Sequence, residues 1–135
     1  MQLNTQPIME NLYIKGSAGP YFRPFVNFSS LTGVCELAGE SHLEDAFGFY
    51  RELQRWIDDY AGDRLIFRFK LTFFNTSSSK GILGLLKSLK GKLEEGIPVQ
   101  VVWYYPRDNY DLRTEAEDFM EDVGMKFTMI SYHLG

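Results

Sequence analysis

Between Leu65 and Phe74 the chain alternates, with Leu65, Phe67, Phe69, Leu71 and Phe73 on one side and Arg68, Lys70 and Thr72 among those on the other. A period of two predicts a half-buried β-strand. Upstream the period changes: Leu43, Ala46, Phe47, Tyr50, Leu53, Ile57 and Tyr60 recur every three or four residues, which predicts an amphipathic helix from about Leu43 to Tyr60. Ser41 followed by Glu44 has the form of a capping box, and Gly62 is placed to end the helix. Downstream, Ile82, Leu85, Leu86, Leu89 and Leu93 form the stripe of a second helix, which Gly96-Ile97-Pro98 stops. Val99 to Tyr105 reads as an interior strand, being largely apolar. A turn around Pro106 to Tyr110 leads to a third helix carrying Leu112, Ala116, Phe119 and Met120, then to a last strand near Phe127 to Tyr132. Ahead of all these, Leu12 to Lys15 and Phe25 to Ser29 read as short strands broken by Gly16, Gly19, Pro20 and Pro24. Gly33 to Ala38 pairs with the latter through a turn near Ser30 to Thr32.

From residue 43 onward the order is helix, strand, helix, strand, helix, strand. Such alternation favours parallel neighbours joined by right-handed crossovers, while the earlier hairpin makes the sheet mixed. The expected fold is α/β, a single-layer mixed sheet flanked by about three helices. At 135 residues, 44% hydrophobic and 24% charged, the chain is expected to form one domain over 1–135. The aromatic share of 16% suits a sheet-rich core.

Charge and composition narrow the chemistry. A net charge of -4 argues against nucleic acid, which is bound chiefly through clustered Lys and Arg. The charge is segregated: Arg64 to Lys92 holds seven bases and no acid, whereas Asp108 to Asp122 holds seven acids and only Arg113 as a base. Two solvated faces and a partner-facing dipole are both open readings. The first residues lack a basic start and apolar run, and no stretch is long enough to span a bilayer, so a cytoplasmic protein without membrane insertion is expected. Cys35, the single cysteine, reads as a small buried residue. The sequons at Asn27 and Asn75 have no role in the cytosol. Two separated histidines and one cysteine supply neither a metal set nor a convincing triad: Thr76, Ser77 or Ser78 as nucleophile with His42 or His133 as base lacks an orienting third group. No phosphate loop is present. The chain is therefore expected to be non-catalytic, with no cofactor and no metal. Trp103, Tyr104 and Tyr105 read as core and its rim rather than a stacking platform.

The remaining signal is the junction Phe74-Asn75-Thr76-Ser77-Ser78-Ser79-Lys80, between the clearest strand and the second helix. Five cap-competent residues stand in a row, where a helix start needs one or two. A helix N-terminus also presents free N–H groups and partial positive charge to an anion. Lys80, about one turn in, is unfavourable against the helix dipole but favourable beside a phosphate. An elaborate cap and an anion or phosphorylation site are both compatible with these residues.

Three blocks together carry a resemblance: Leu71-Thr72-Phe73-Phe74-Asn75-Thr76-Ser77-Ser78-Ser79-Lys80, the Gly39-Glu40-Ser41 segment leading into a helix, and Trp103-Tyr104-Tyr105 followed by Glu115-Ala116-Glu117-Asp118-Phe119. In this order they resemble the SiaC family of bacterial regulatory phosphoproteins, most strongly over 31–131. The resemblance implies a STAS-like fold, as in anti-sigma factor antagonists, and a phosphoacceptor at Thr76 supported by Asn75, Ser77, Ser78 and Lys80. It further implies a SiaB-like Ser/Thr protein kinase, a SiaA-like PP2C-type phosphatase, and a SiaD-like diguanylate cyclase or other effector bound by the unphosphorylated form. Glu40, Ser41, Ser79, Gly84 and Lys87 are the expected partner surface. The chain departs from the family pattern at His42-Leu43, where Tyr-Pro is usual, and at Gly84, where an acid is frequent. A module that binds partners without being phosphorylated is the alternative.

Overall fold

The computed structural model describes residues 9–17 and 21–133. Gly19 and Pro20, read above as strand breakers, lie outside the described residues. The elements run β1 (Leu12–Ile14), β2 (Phe25–Phe28), β3 (Val34–Ser41), α1 (Ala46–Asp59), β4 (Leu65–Phe74), α2 (Thr76–Glu94), β5 (Val99–Pro106), α3 (Tyr110–Val123) and β6 (Thr128–Tyr132). They form the expected α/β arrangement of one mixed sheet with three helices.

Sheet order equals chain order, β1-β2-β3-β4-β5-β6. The first three strands pair antiparallel and the last four parallel. Three crossovers join successive parallel neighbours, and with the usual right-handed sense of such connections α1, α2 and α3 lie on the same face. Val26, Phe28, Cys35, Leu37, Leu65, Phe67, Phe69, Leu71, Val101 and Trp103 point to that face and share one core with α1, α2 and α3. On the opposite face the polar half of the alternation meets across strands, as in the Lys70–Glu36 ion pair at 2.8 Å and the Lys70 ammonium 5.1 Å over the Tyr104 ring.

Trp103 is fully buried among Phe69, Phe74, Phe119 and Phe127, with ring centroids 4.9 to 6.2 Å away. Cys35 is likewise buried, and burial pushes its thiol pKa up, away from the reactive thiolate.

The alternation of β4 breaks at one point. Gly39 pairs with Leu71 but Glu40 pairs with Phe73, so Thr72 is an extra residue in the ladder. Gly39 takes φ 95° here, a backbone that glycine adopts without strain. A bulge inverts the facing of everything after it. Phe74 turns into the core and Phe73, expected inside, is 47% exposed.

Four other expectations are corrected. Helix α1 begins at Ala46, capped by Asp45, whose carboxylate accepts from the Gly48 N–H. Ser41 belongs to β3 and caps nothing, because the chain needs residues 42–45 to turn from strand into helix. Phe47, placed on the apolar stripe, is 75% exposed once the helix starts there. The end of α1 is set at Tyr60, which is extended, rather than at Gly62. The carbonyls of Asp58 and Tyr60 accept bonds of 2.7 and 2.9 Å from Lys92 Nζ. That ammonium explains why Lys92 is buried and Leu93, expected on the α2 stripe, is partly exposed: the unpaired carbonyls of one helix end attract the cation of the next.

Candidate functional site

The junction of β4 and α2 is a fully built helix start. Asn75 is the N-cap; its Oδ1 accepts from the Ser78 N–H at 2.9 Å and its carbonyl from the Ser79 N–H at 2.9 Å. Its own N–H donates to the Ser41 carbonyl at 3.0 Å, which ties the cap to the end of β3. Thr76 is the first helical residue and is exposed. By helix geometry the N–H groups of Thr76 and Ser77 have no carbonyl partner within the helix. The first turn of α2 contains no acid, so the positive end of its dipole is uncompensated there.

Ser78, one residue past Ser77, is fully buried, as are Ser41 and Tyr50. Ser41 Oγ donates to Ser78 Oγ at 2.7 Å, and Ser78 Oγ donates back to the Ser41 carbonyl at 3.0 Å. Tyr50 lies 2.8 Å from Ser41 Oγ. Ser41 has only one hydroxyl hydrogen, already given to Ser78, so Tyr50 is the donor in this third bond. Burial raises the Tyr50 pKa, which keeps the phenol protonated and able to donate. Three elements, β3, α1 and α2, thus meet in one satisfied polar chain.

Beside this chain a cleft of about 380 Å³ opens between α1 and α2, lined by Phe47, Tyr50, Arg51, Ser77, Lys80 and Gly81, among others. The Arg51 guanidinium stands 5.8 Å over the Phe47 ring. Gly81 lets the helices approach, since a Cβ there would meet the Tyr50 ring at 2.3 Å. Close packing by α1 therefore accounts for this glycine.

The structure brings Asn75, Thr76, Ser77, Ser78 and Lys80 together in one turn, with Thr76, Ser77 and Lys80 exposed. Glu40 and Lys87 are exposed and Ser79 and Gly84 half-buried, Gly84 lying against Gln54 of α1. Ser41, expected on the partner surface, is corrected: its side chain is sealed beneath α2 and holds the turn from inside. Tyr50 was visible in the sequence only as an apolar-stripe residue. Its single legible signal is that a buried tyrosine hydroxyl requires a polar partner. Among the described residues no group of three or more His, Cys, Asp or Glu is placed to hold a metal ion, and no helix is long and apolar enough to cross a membrane.

Fold and site define a small α/β protein that presents a capped, hydroxyl-rich helix start from a one-sided sheet. The chain belongs to the SiaC family of regulatory phosphoproteins, whose sequence model matches residues 16–132. It is 27% identical over 124 residues to an uncharacterised protein of Pseudomonas aeruginosa strain UCBPP-PA14, covering 90% of this chain and 96% of the relative. The solved structure of SiaC of Pseudomonas aeruginosa superimposes with a TM-score of 0.77 at 26% identity, over 92% of this chain and all of that one. A chain from the crystal structure of the diguanylate cyclase SiaD in complex with its activator SiaC, from the same organism, matches with a TM-score of 0.77 at 25% identity, over 88% of this chain and 100% of that one.

Proposed function

We propose that this chain is a non-catalytic cytoplasmic signalling domain, switched by phosphorylation and dephosphorylation of Thr76, whose unphosphorylated form binds and activates a diguanylate cyclase or similar effector. A Ser/Thr kinase and a PP2C-type phosphatase complete the cycle. The observation that carries the reading is the exposed Thr76 hydroxyl at the first position of α2, beside unpaired N–H groups, the uncompensated dipole and Lys80 at i+4. A phosphate of nearly two negative charges is well received there. It also changes a contact surface that otherwise presents a neutral hydroxyl, and so repels or mis-seats a partner fitted to that hydroxyl. The family is one of regulatory phosphoproteins, and a related protein is the activator of a diguanylate cyclase.

Peptide mass spectrometry of the protein from its native host, combined with effector binding by titration calorimetry, tests this. The expected result is phosphate on Thr76 and weaker effector binding by the phosphorylated form. Thr76→Ala should bind like unphosphorylated protein, and Thr76→Asp should lose only part of the affinity, since a carboxylate has one charge and fewer acceptor oxygens. Equal affinity of phosphorylated and unphosphorylated protein would leave an interaction module that works without phosphorylation.

A further inference from the structure

We infer that the buried Tyr50–Ser41–Ser78 chain selects Thr76 as the phosphoacceptor among four adjacent hydroxyls, an inference that rests on the phosphorylation reading above. Thr76, Ser77, Ser78 and Ser79 offer a kinase four similar groups in succession. They differ in how the helix orients them. Ser78 is held inward at both its hydrogen and its oxygen, donating to the Ser41 carbonyl and accepting from Ser41 Oγ, and is 0% exposed. A helix advances about 100° per residue. Ser78 lies on the buried stripe four residues before Ile82, and holding it inward keeps Thr76, two residues back, almost directly outward. Ser77 is turned sideways into the cleft beside Arg51 and Lys80, and Ser79 to the other side, where it is half-buried. Thr76 faces solvent directly, whereas Ser77, although exposed, stands in the wall of the cleft.

Tyr50 acts through Ser41 and Ser78 and is a positioning residue. Its hydroxyl satisfies the Ser41 oxygen and so orients the one hydrogen Ser41 has toward Ser78. In the transfer itself, Thr76 Oγ1 bonds to the γ-phosphorus of ATP as the bond to the β,γ-bridging oxygen breaks; ADP leaves and the hydroxyl proton passes to a base of the kinase. That in-line attack requires one defined hydroxyl orientation, which a fraying first turn would not hold.

The test uses the full chain with the purified kinase of the proposed cycle and ATP, below the unfolding midpoint of each variant. Wild type, Tyr50→Phe, Ser41→Ala and the double variant are compared by steady-state kinetics and by site-resolved peptide mass spectrometry. Tyr50→Phe keeps the ring against Gly81 and removes only the hydroxyl, so it remains informative even where Ser41→Ala folds poorly. The expected result is kcat at Thr76 lowered about tenfold, the population change that losing one or two net hydrogen bonds allows, with KM within about twofold. Phosphate should also appear on Ser77 to Ser79, and the double variant should be little worse than either single one, because both cut the same chain. Phosphorylation of Tyr50→Phe at Thr76 alone, with wild-type kcat, would overturn the inference while leaving the switch intact. Wild type that takes phosphate on another of the four, or none at all, would instead overturn the Thr76 reading and this inference with it.

Discussion

Gly81 lies directly against the Tyr50 ring, so closely that an added Cβ would stand 2.3 Å from Cδ2, 2.4 Å from Cγ and 2.8 Å from Cβ of the tyrosine. These are the inner atoms of the side chain, which cannot swing aside as a flexible tip can. The pair sets how near α1 comes to α2, and with it whether the Tyr50 hydroxyl reaches Ser41.

The first prediction concerns that contact. Gly81→Ala gains helix propensity of about 1 kcal/mol but overpacks against unyielding ring atoms, at a cost of about 2–3 kcal/mol in the upper part of the usual range, so a net destabilisation of about 1–2 kcal/mol is expected. Gly91→Ala in the same helix meets nothing within 4 Å and should stabilise by about 0.5–1 kcal/mol. Urea unfolding of the two variants should give shifts of opposite sign.

Lys92 is the second case. Its ammonium closes the end of α1 through the carbonyls of Asp58 and Tyr60, and also lies 3.4 Å from Glu95. The carbonyl bonds are charge-assisted and buried, so Lys92→Met should cost about 2–3 kcal/mol. Glu95 is largely exposed, and Glu95→Gln should change stability by less than about 0.5 kcal/mol. Equal losses in the two variants would mean that the ion pair, rather than the helix end, holds Lys92.

A third expectation concerns the cap. Asn75→Ala removes the acceptor of the Ser78 N–H and should cost about 1 kcal/mol. Thr76→Asp places a carboxylate where the first turn has no acid and should stabilise by about 0.3–1 kcal/mol at low salt. Repeating the thermal melts of Thr76→Asp in about 1 M salt should erase the gain, because screening then acts within about 3 Å.

The fourth is a pH dependence on α3. Glu115 is exposed, yet partial desolvation on α3, reinforced by the charges of Asp111 and Asp118, raises its pKa above the ordinary value. A carboxyl whose folded-state pKa is raised contributes stability that is full below its unfolded pKa of about 4.3. That contribution is lost as pH rises through the folded value. Glu115→Gln should therefore melt higher than wild type at pH 7, by about a degree given solvent screening, and the advantage should vanish or reverse near pH 4. A constant offset between the two melts at both pH values would contradict the shift.

Much of the architecture could be read from periodicity because periodicity reports what one element does to its own faces. The α2 residues Ile82, Leu85, Leu86 and Leu89 are buried as their spacing requires. The β4 alternation holds from Leu65 to Leu71 and fails at Phe73, where the bulge arises from how β3 and β4 pair. Ser41 and Glu44 have the letters of a capping box, but the cap went to Asp45 because β3 runs through Ser41. In the Asn75 to Ser79 run, the surplus of cap-competent residues was visible, while the residue that caps and the one that is buried were not.

The sequence by itself determined the order of strands and helices, the parallel half of the sheet and the hydroxyl-rich junction at which a strand passes into a helix. These follow from local propensity and from face-by-face hydrophobicity, which act over a few residues. Tertiary structure alone decided how the first turn of that helix is fastened from within. The apolar stripe Ile82, Leu85, Leu86 and Leu89 sets the rotation of α2, while its first turn is fastened by bonds that join Ser41 to Tyr50 nine residues on and to Ser78 thirty-seven residues on, and such bonds exist only once three elements have packed against one another.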